Sequence, residues 1–272
     1  LPALVFSAAA GLGGSWSQNS NIWPTTPALF DSEPGSLWFT DGQFLTRLGT
    51  GTFRHSGYWV QESGTQWDLP SLKMENAWLA FPNPGFVLNV AGDMSIKGTD
   101  PRIHKATFTN GTLKCGGNLT VDKAKIDMMT SFEGSPTVDV TGNMSMLNAA
   151  VIDMRLGGAS PTEPGFEGVV KVGGAMSLAG NSIIYLYSHP TNGGTALFRV
   201  GSLDVAAGSA FDANGRGYRG GKKKDEPGFG PGAGQKITGG YGGGGYGGVG
   251  GLSGPTSGNA YATAAAPTEP RS

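Results

Sequence analysis

One short pattern recurs five times along this chain and restricts its fold more than any other feature: GDMSI from Gly92, GNLTV from Gly117, GNMSM from Gly142, GAMSL from Gly174 and GSLDV from Gly201. Each copy is glycine, any residue, leucine or methionine, then serine, threonine or aspartate, then an apolar residue. Successive glycines stand 25, 25, 32 and 27 residues apart. Apolar residues also stand four and two positions upstream of the first four glycines: Leu88 and Val90, Leu113 and Cys115, Val138 and Val140, Val170 and Val172. An alternation of period 2 is the mark of a strand with one buried and one wet face. The last copy departs from the rule. Phe198 and Val200 precede Gly201 by three and one positions, as though one residue were deleted at the bend.

A second apolar cluster follows each of the last four glycines: KIDM around Ile126, VIDM around Ile152, IIYLY around Ile184 and AFDA around Phe211. No segment between them carries a helical pattern. Short strands repeating without crossover helices predict an all-β chain, a parallel β-helix (β-solenoid) with coils of 25–32 residues. In such a stack Met94, Leu119, Met144, Met176 and Leu203 form one buried ladder, and Ile96, Val121, Met146, Leu178 and Val205 a second. Ser95, Thr120, Ser145, Ser177 and Asp204 form an outward polar row. The repeated glycine sits at an inward bend that a Cβ would obstruct. Cys115 stands where three neighbouring repeats have valine, the setting of a packed, inert thiol. The competing fold, a β-sandwich or jelly roll, needs tight hairpins at every junction, and the repeat region offers few Asn-Gly or Asp-Gly pairs, Asn110-Gly111 among them.

The flanks differ from the repeats. Residues 1–85 hold all six tryptophans, Trp16, Trp23, Trp38, Trp59, Trp67 and Trp78, with faint echoes of the repeat at Gly35 and Gly64. They read as a Trp-rich N-terminal cap with irregular entry coils, followed by a regular solenoid over 86–213. The opening LPALVFSAAAG reads as a first strand. Residues 214–272 are glycine-rich, with 19 glycines among the 40 positions from Gly215 to Gly254. Tyr218, Phe229, Tyr241, Tyr246 and Tyr261 stand among those glycines, which predicts an ordered excursion packed on or beyond the last coil rather than a bare linker.

The stretches AGSAFDANGRGYRGG, GPGAG, GGYGGGGYGG and AYATAAAPTEP are similar to a glycine-rich insertion of large secreted or surface β-helix proteins. The upstream repeats resemble those of pectin-lyase-like and autotransporter-passenger-like solenoids, and the resemblance spans roughly residues 86–270. It implies a right-handed parallel β-helix in an extracellular or cell-surface setting, and it brings no catalytic residue with it.

Composition narrows the chemistry. Lys plus Arg number 19 against 20 Asp plus Glu, so neither a basic surplus for nucleic acid nor an acidic tail is present. One cysteine allows no intrachain disulfide. No apolar run reaches the roughly 18 residues of a membrane-spanning helix. His55, His104 and His189 show no ligand spacing, no metal site is predicted, and no cofactor is expected. Ca²⁺ has no supporting motif. Asp127 and Asp153 occupy matching positions in the KIDM and VIDM segments, where an acid/base or Ca²⁺ pair is weighed against a solvated outer row, and the solvated row is the preferred reading.

The strongest chemical cluster is Arg216, Tyr218, Arg219 and Lys222, with Lys223 and Lys224 beside them. These are the residue types that bind a uronate and supply a base to a polysaccharide lyase. Asn110, Asn118 and Asn143 head N-x-Ser/Thr sequons, candidate glycan sites in a eukaryotic setting. The reading that results is an extracellular structural or adhesive solenoid. It would be displayed on a surface or assembled into a filament or matrix, with self-association or matrix components as partners. The alternative is a carbohydrate-active lyase or hydrolase acting on an anionic polysaccharide.

Overall fold

A computed structural model describes residues 5–7, 36–39, 52–128, 132–219, 228–230, 233, 236–237 and 240–241. Eighteen strands hydrogen-bond into one sheet, and every pairing within it is parallel. No helix occurs among the described residues. A separate antiparallel pair joins Lys236–Ile237 to Gly240–Tyr241.

The pairings run in three ladders. The first comprises Gln66–Leu69, Val87–Val90, Thr112–Cys115 and Thr137–Val140, then the first halves of Gly168–Leu178 and Ala196–Val205. The second runs from Val5–Ser7 through the starts of Thr52–Gln61 and Ser71–Phe81. It continues through Met94–Lys97, Leu119–Asp122 and Met144–Leu147 to the second halves of the two long strands. The third joins Ser36–Phe39 to the ends of Thr52–Gln61 and Ser71–Phe81. Beyond these come Lys105–Phe108, Lys125–Met128, Val151–Leu156, Ile183–Ser188 and Ala210–Asp212. Each sequence repeat gives one strand to each ladder, and such a set of three is called a tier below.

The register is the one the repeat predicts. Met94, Leu119, Met144, Met176 and Leu203 are paired in turn, as are Ile96, Val121, Met146, Leu178 and Val205. In the inner tiers these side chains are buried, while Ser95, Thr120, Ser145 and Ser177 lie half-buried on the opposite face. The last tier departs from expectation: Leu203 is 52% and Val205 40% exposed. No described strand pairs with the far edge of that tier. The shortened final repeat also resolves as a local irregularity, with Val172 opposite Val200 and Ala175 opposite Ser202, so that Gly173 and Gly174 face Gly201 alone.

The recurrent glycines mark corners where tiers approach closely. A Cβ on Gly142 would lie 2.6 Å from the Gly117 carbonyl oxygen, and one on Gly92 would lie 2.8 Å from that of Pro70. None of the five has a left-handed φ, so the requirement is space rather than backbone freedom. At these corners the N–H groups of Gly117, Gly142 and Gly174 donate to the carbonyls of Gly92, Gly117 and Gly142 at 3.0, 3.0 and 2.9 Å. A side-chain stack runs alongside. Asp93 Oδ1 accepts from the Asn118 N–H (2.8 Å), Asn118 Oδ1 from Asn143 (2.9 Å) and Asn143 Oδ1 from Ala175 (2.8 Å). These bonds satisfy backbone donors that a turn would otherwise leave orphaned.

The core is continuous from Trp59 to Ile184. At the N-terminal end its bulk is aromatic: Trp59 lies 5.1 Å from Trp67, and Phe81 stacks on Phe86 at 4.4 Å and Phe108 at 5.0 Å. Trp59 and Trp67 are therefore interior residues of the tiers, whereas Trp16 and Trp23 lie outside the described residues. The extra length of the 32-residue repeat forms the loop 157–167. Glu163 fixes that loop to the half-exposed row of the first ladder, at 2.9 Å from Lys171 and 2.8 Å from Arg199.

Candidate functional site: the half-exposed face of the third ladder

Strand alternation sends Ile126, Met128, Ile152 and Met154 into the core and leaves Lys125, Asp127 and Asp153 on the other face. Register then assembles two rows. Trp78, Lys105, Lys125, Val151 and Ile183 stack in one, and Thr107, Asp127, Asp153, Tyr185 and Asp212 in the next. The two aspartates that the sequence placed in matching segments are direct neighbours.

They do not form a solvated row. The Lys125, Asp127 and Asp153 side chains are only 18%, 14% and 9% exposed. Lys125 Nζ lies 3.1 Å from Asp127 Oδ2 and also contacts Asp153 Oδ2. Lys105 Nζ sits 3.9 Å from Asp127 and 4.4 Å from the centre of the Trp78 ring, whose Nε1–H donates to Thr107 Oγ1 at 3.0 Å. Tyr58 packs on the other side of that indole at 4.2 Å. The Oδ1 atoms of Asp127 and Asp153 are buried and have no hydrogen-bond partner among the described residues. The sequence carried a signal for this cluster that went unread: KATF and KIDM put a lysine two residues before the polar position in consecutive tiers.

Burial pushes the Asp153 carboxyl above the usual carboxylate range, and the Lys125 contact offsets this only in part. Burial also opposes the charge on Lys125, but its hydrogen bonds to Asp153 and Asp127 and their negative fields outweigh it, so its pKa is raised.

The predicted cationic cluster divides. Arg216 joins this face: its guanidinium lies over Tyr185 at 4.4 Å and Tyr187 at 4.8 Å, and it pairs with Asp212 at 3.0 Å. Tyr218 and Arg219 instead fasten the 189–193 turn. The Tyr218 hydroxyl donates to the Asn192 carbonyl (3.1 Å), and its ring fills the space beside Gly193 and Gly230 where Cβ atoms would clash. The Arg219 N–H donates to the Pro190 carbonyl (2.8 Å), and its guanidinium covers Phe229 at 4.4 Å. Lys222 lies outside the described residues.

Of the sequon asparagines, Asn118 and Asn143 are exposed members of the corner stack, and Asn110 is half-buried with a φ of 50°. Cys115 is buried, its thiol pushed up in pKa chiefly by burial and donating to the Gly92 carbonyl at 3.4 Å. An open groove of about 490 Å³ lies on the second ladder against Thr52, Ser71, Lys73, Ser95 and Thr120. No group of three or more metal-type side chains is gathered among the described residues. No helix among them is long and apolar enough to cross a membrane. No family model, curated protein or solved structure matches the chain.

Proposed function

We propose that the chain is a right-handed parallel β-solenoid that works as an extracellular structural or adhesive element, through contact area along its tiers and at an open tier end. Right-handedness follows from the general preference of parallel crossovers. The observation that carries the functional reading is the last described tier. Leu203 and Val205 hold rungs whose counterparts Met176 and Leu178 are 0% and 1% exposed, yet they stand open at 52% and 40%. A strand edge with apolar side chains beside it favours addition of a further tier. Replacing Leu203 and Val205 by aspartate should lower the association state seen in light scattering while leaving the circular dichroism β signal intact. A wild-type chain that stays monomeric at high concentration would remove the support for this reading.

One observation favours the second reading, a carbohydrate-active enzyme: Arg216, Tyr185 and Tyr187 adjoin the paired carboxylates of the third ladder. Aromatic faces and a guanidinium are suited to uronate sugars, and two carboxyls to acid/base work. Incubation with a panel of uronate polysaccharides, watching absorbance from unsaturated products, separates the two readings. Turnover lost on Arg216→Ala would establish the enzyme.

A further inference from the structure

We propose that Lys125 and Asp153 condense into an isopeptide bond in the folded chain, so that two adjacent tiers are joined covalently. The pairing register is the first support. Asp127 stands opposite Asp153 and Lys125 opposite Val151, so the Lys125 side chain reaches Asp153 along the diagonal of one face. Its amine contacts Asp153 Oδ2 and lies 3.1 Å from Asp127 Oδ2. The nucleophile is thus held between the carboxyl it would attack and a second carboxyl that relays protons.

The surroundings favour condensation over a persistent ion pair. Hydration is what normally makes an ammonium and a carboxylate more stable than an amide plus water, and these three side chains are 18% exposed or less. Burial removes that hydration, and fixed proximity replaces a collision. As an ion pair, the cluster leaves Oδ1 of both aspartates buried with no donor among the described residues. Condensation removes one Asp153 oxygen as water and cancels the Lys125 and Asp153 charges. It also leaves an amide N–H beside Asp127. Burial already favours the protonated form of Asp153, the form that can lose its hydroxyl. Lys105, held over Trp78, faces Asp127 from the preceding tier, and Arg216, paired with Asp212, lies beyond Tyr185.

The step balances without a redox partner. Asp127 passes a proton from the Lys125 ammonium to an Asp153 carboxylate oxygen, and the freed amine attacks Asp153 Cγ, forming the N–C bond. The nitrogen gives up a second proton as the Cγ–O bond breaks. Both protons leave on the departing oxygen, as one water, and Asp127 returns to its starting state.

Intact-mass measurement on the purified chain tests this directly, and the wild type alone decides the main point. The expected result is a mass lower than the sequence mass by one water. Digestion should then give no cleavage after Lys125 and one branched peptide joining the strands of Lys125 and Asp153. Lys125→Arg, which keeps a cation but offers no comparable nucleophile, should return to its full sequence mass, and Asp127→Ala should not cross-link or should do so far more slowly. A wild type at full mass with two linear peptides would overturn the proposal, as would a water loss that survives Lys125→Arg. Unchanged bond formation in Asp127→Ala would overturn the relay.

Discussion

His55 and Val205 stand far apart in one row: Phe6, His55, Met74, Ile96, Val121, Met146, Leu178 and Val205 are paired in turn. One rung in from the N-terminal end a titratable side chain is buried, at 2% exposure and edge-on to Trp59 at 5.4 Å; at the C-terminal end a valine is 40% exposed. The difference shows that burial here is set by tier position as much as by residue type. An inner rung is enclosed by the tiers on either side. The last described rung lacks that enclosure on one side, and apolar residues remain open there. Predictions on these rungs ask whether position or chemistry governs the energetics.

The largest effect is expected in the middle of the stack. Leu119 is fully buried between Met94 and Met144. Leu119→Ala should cost on the order of 2–5 kcal/mol in a denaturant titration, through lost burial plus a cavity that paired neighbours cannot close. A cost under about 1 kcal/mol would mean that the middle tiers are as loosely enclosed as the last.

His55 sharpens the contrast toward the N-terminal side of the row. Burial lowers its pKa from 6.5 to about 4. The imidazole is therefore neutral in the folded chain near pH 7. Because the folded pKa is the lower one, its contribution is fully present above pH 6.5 and is lost as pH falls toward 4. That shift corresponds to about 3 kcal/mol. The measurement is stability against pH for the wild type and for His55→Met, which installs the residue type found elsewhere in the row. The two profiles should diverge between pH 6.5 and 4 and run parallel above that window. Parallel profiles throughout would show the histidine to be solvated.

Gly142 probes the corner that the inner tiers share. An added Cβ would meet the Gly117 carbonyl at 2.6 Å and Asn118 Oδ1 at 2.8 Å, and the first of these is backbone that cannot swing away. Gly142→Ala should cost roughly 1–3 kcal/mol by forcing the tiers apart. Gly165, with φ +96° and nothing within 4 Å of its Cβ position, tests backbone strain without crowding.

The repeat made the parallel pairing and its register legible, because period 2 and a recurring glycine leave few other ways to bury Met94, Leu119 and Met144 together. The charged cluster on the third ladder was less legible. A polar residue at an outward position reads as solvated until register shows Lys125 reaching across to the next tier. Arg216 and Arg219 are three residues apart, yet one lies over Tyr185 and the other over Phe229. Nothing in a run of like charges encodes that division, because it depends on where a glycine-rich turn sends each side chain.

The smallest effect belongs to the open end. Leu203 continues the row of Leu119, and a reading by residue type alone would assign it a similar cost on truncation. With about half its surface still in water, Leu203→Ala removes roughly half the burial term and creates no closed cavity, so a cost on the order of 1 kcal/mol is expected. The measurement is the same denaturant titration, made at low and at high protein concentration. At low concentration the cost should stay near this value. If self-association covers the last tier, the cost should rise with concentration toward that of Leu119→Ala, since the rung is then enclosed on both sides. A cost equal to that of Leu119→Ala already at low concentration would show that the last tier is covered within a single chain, and would remove the distinction between the two ends.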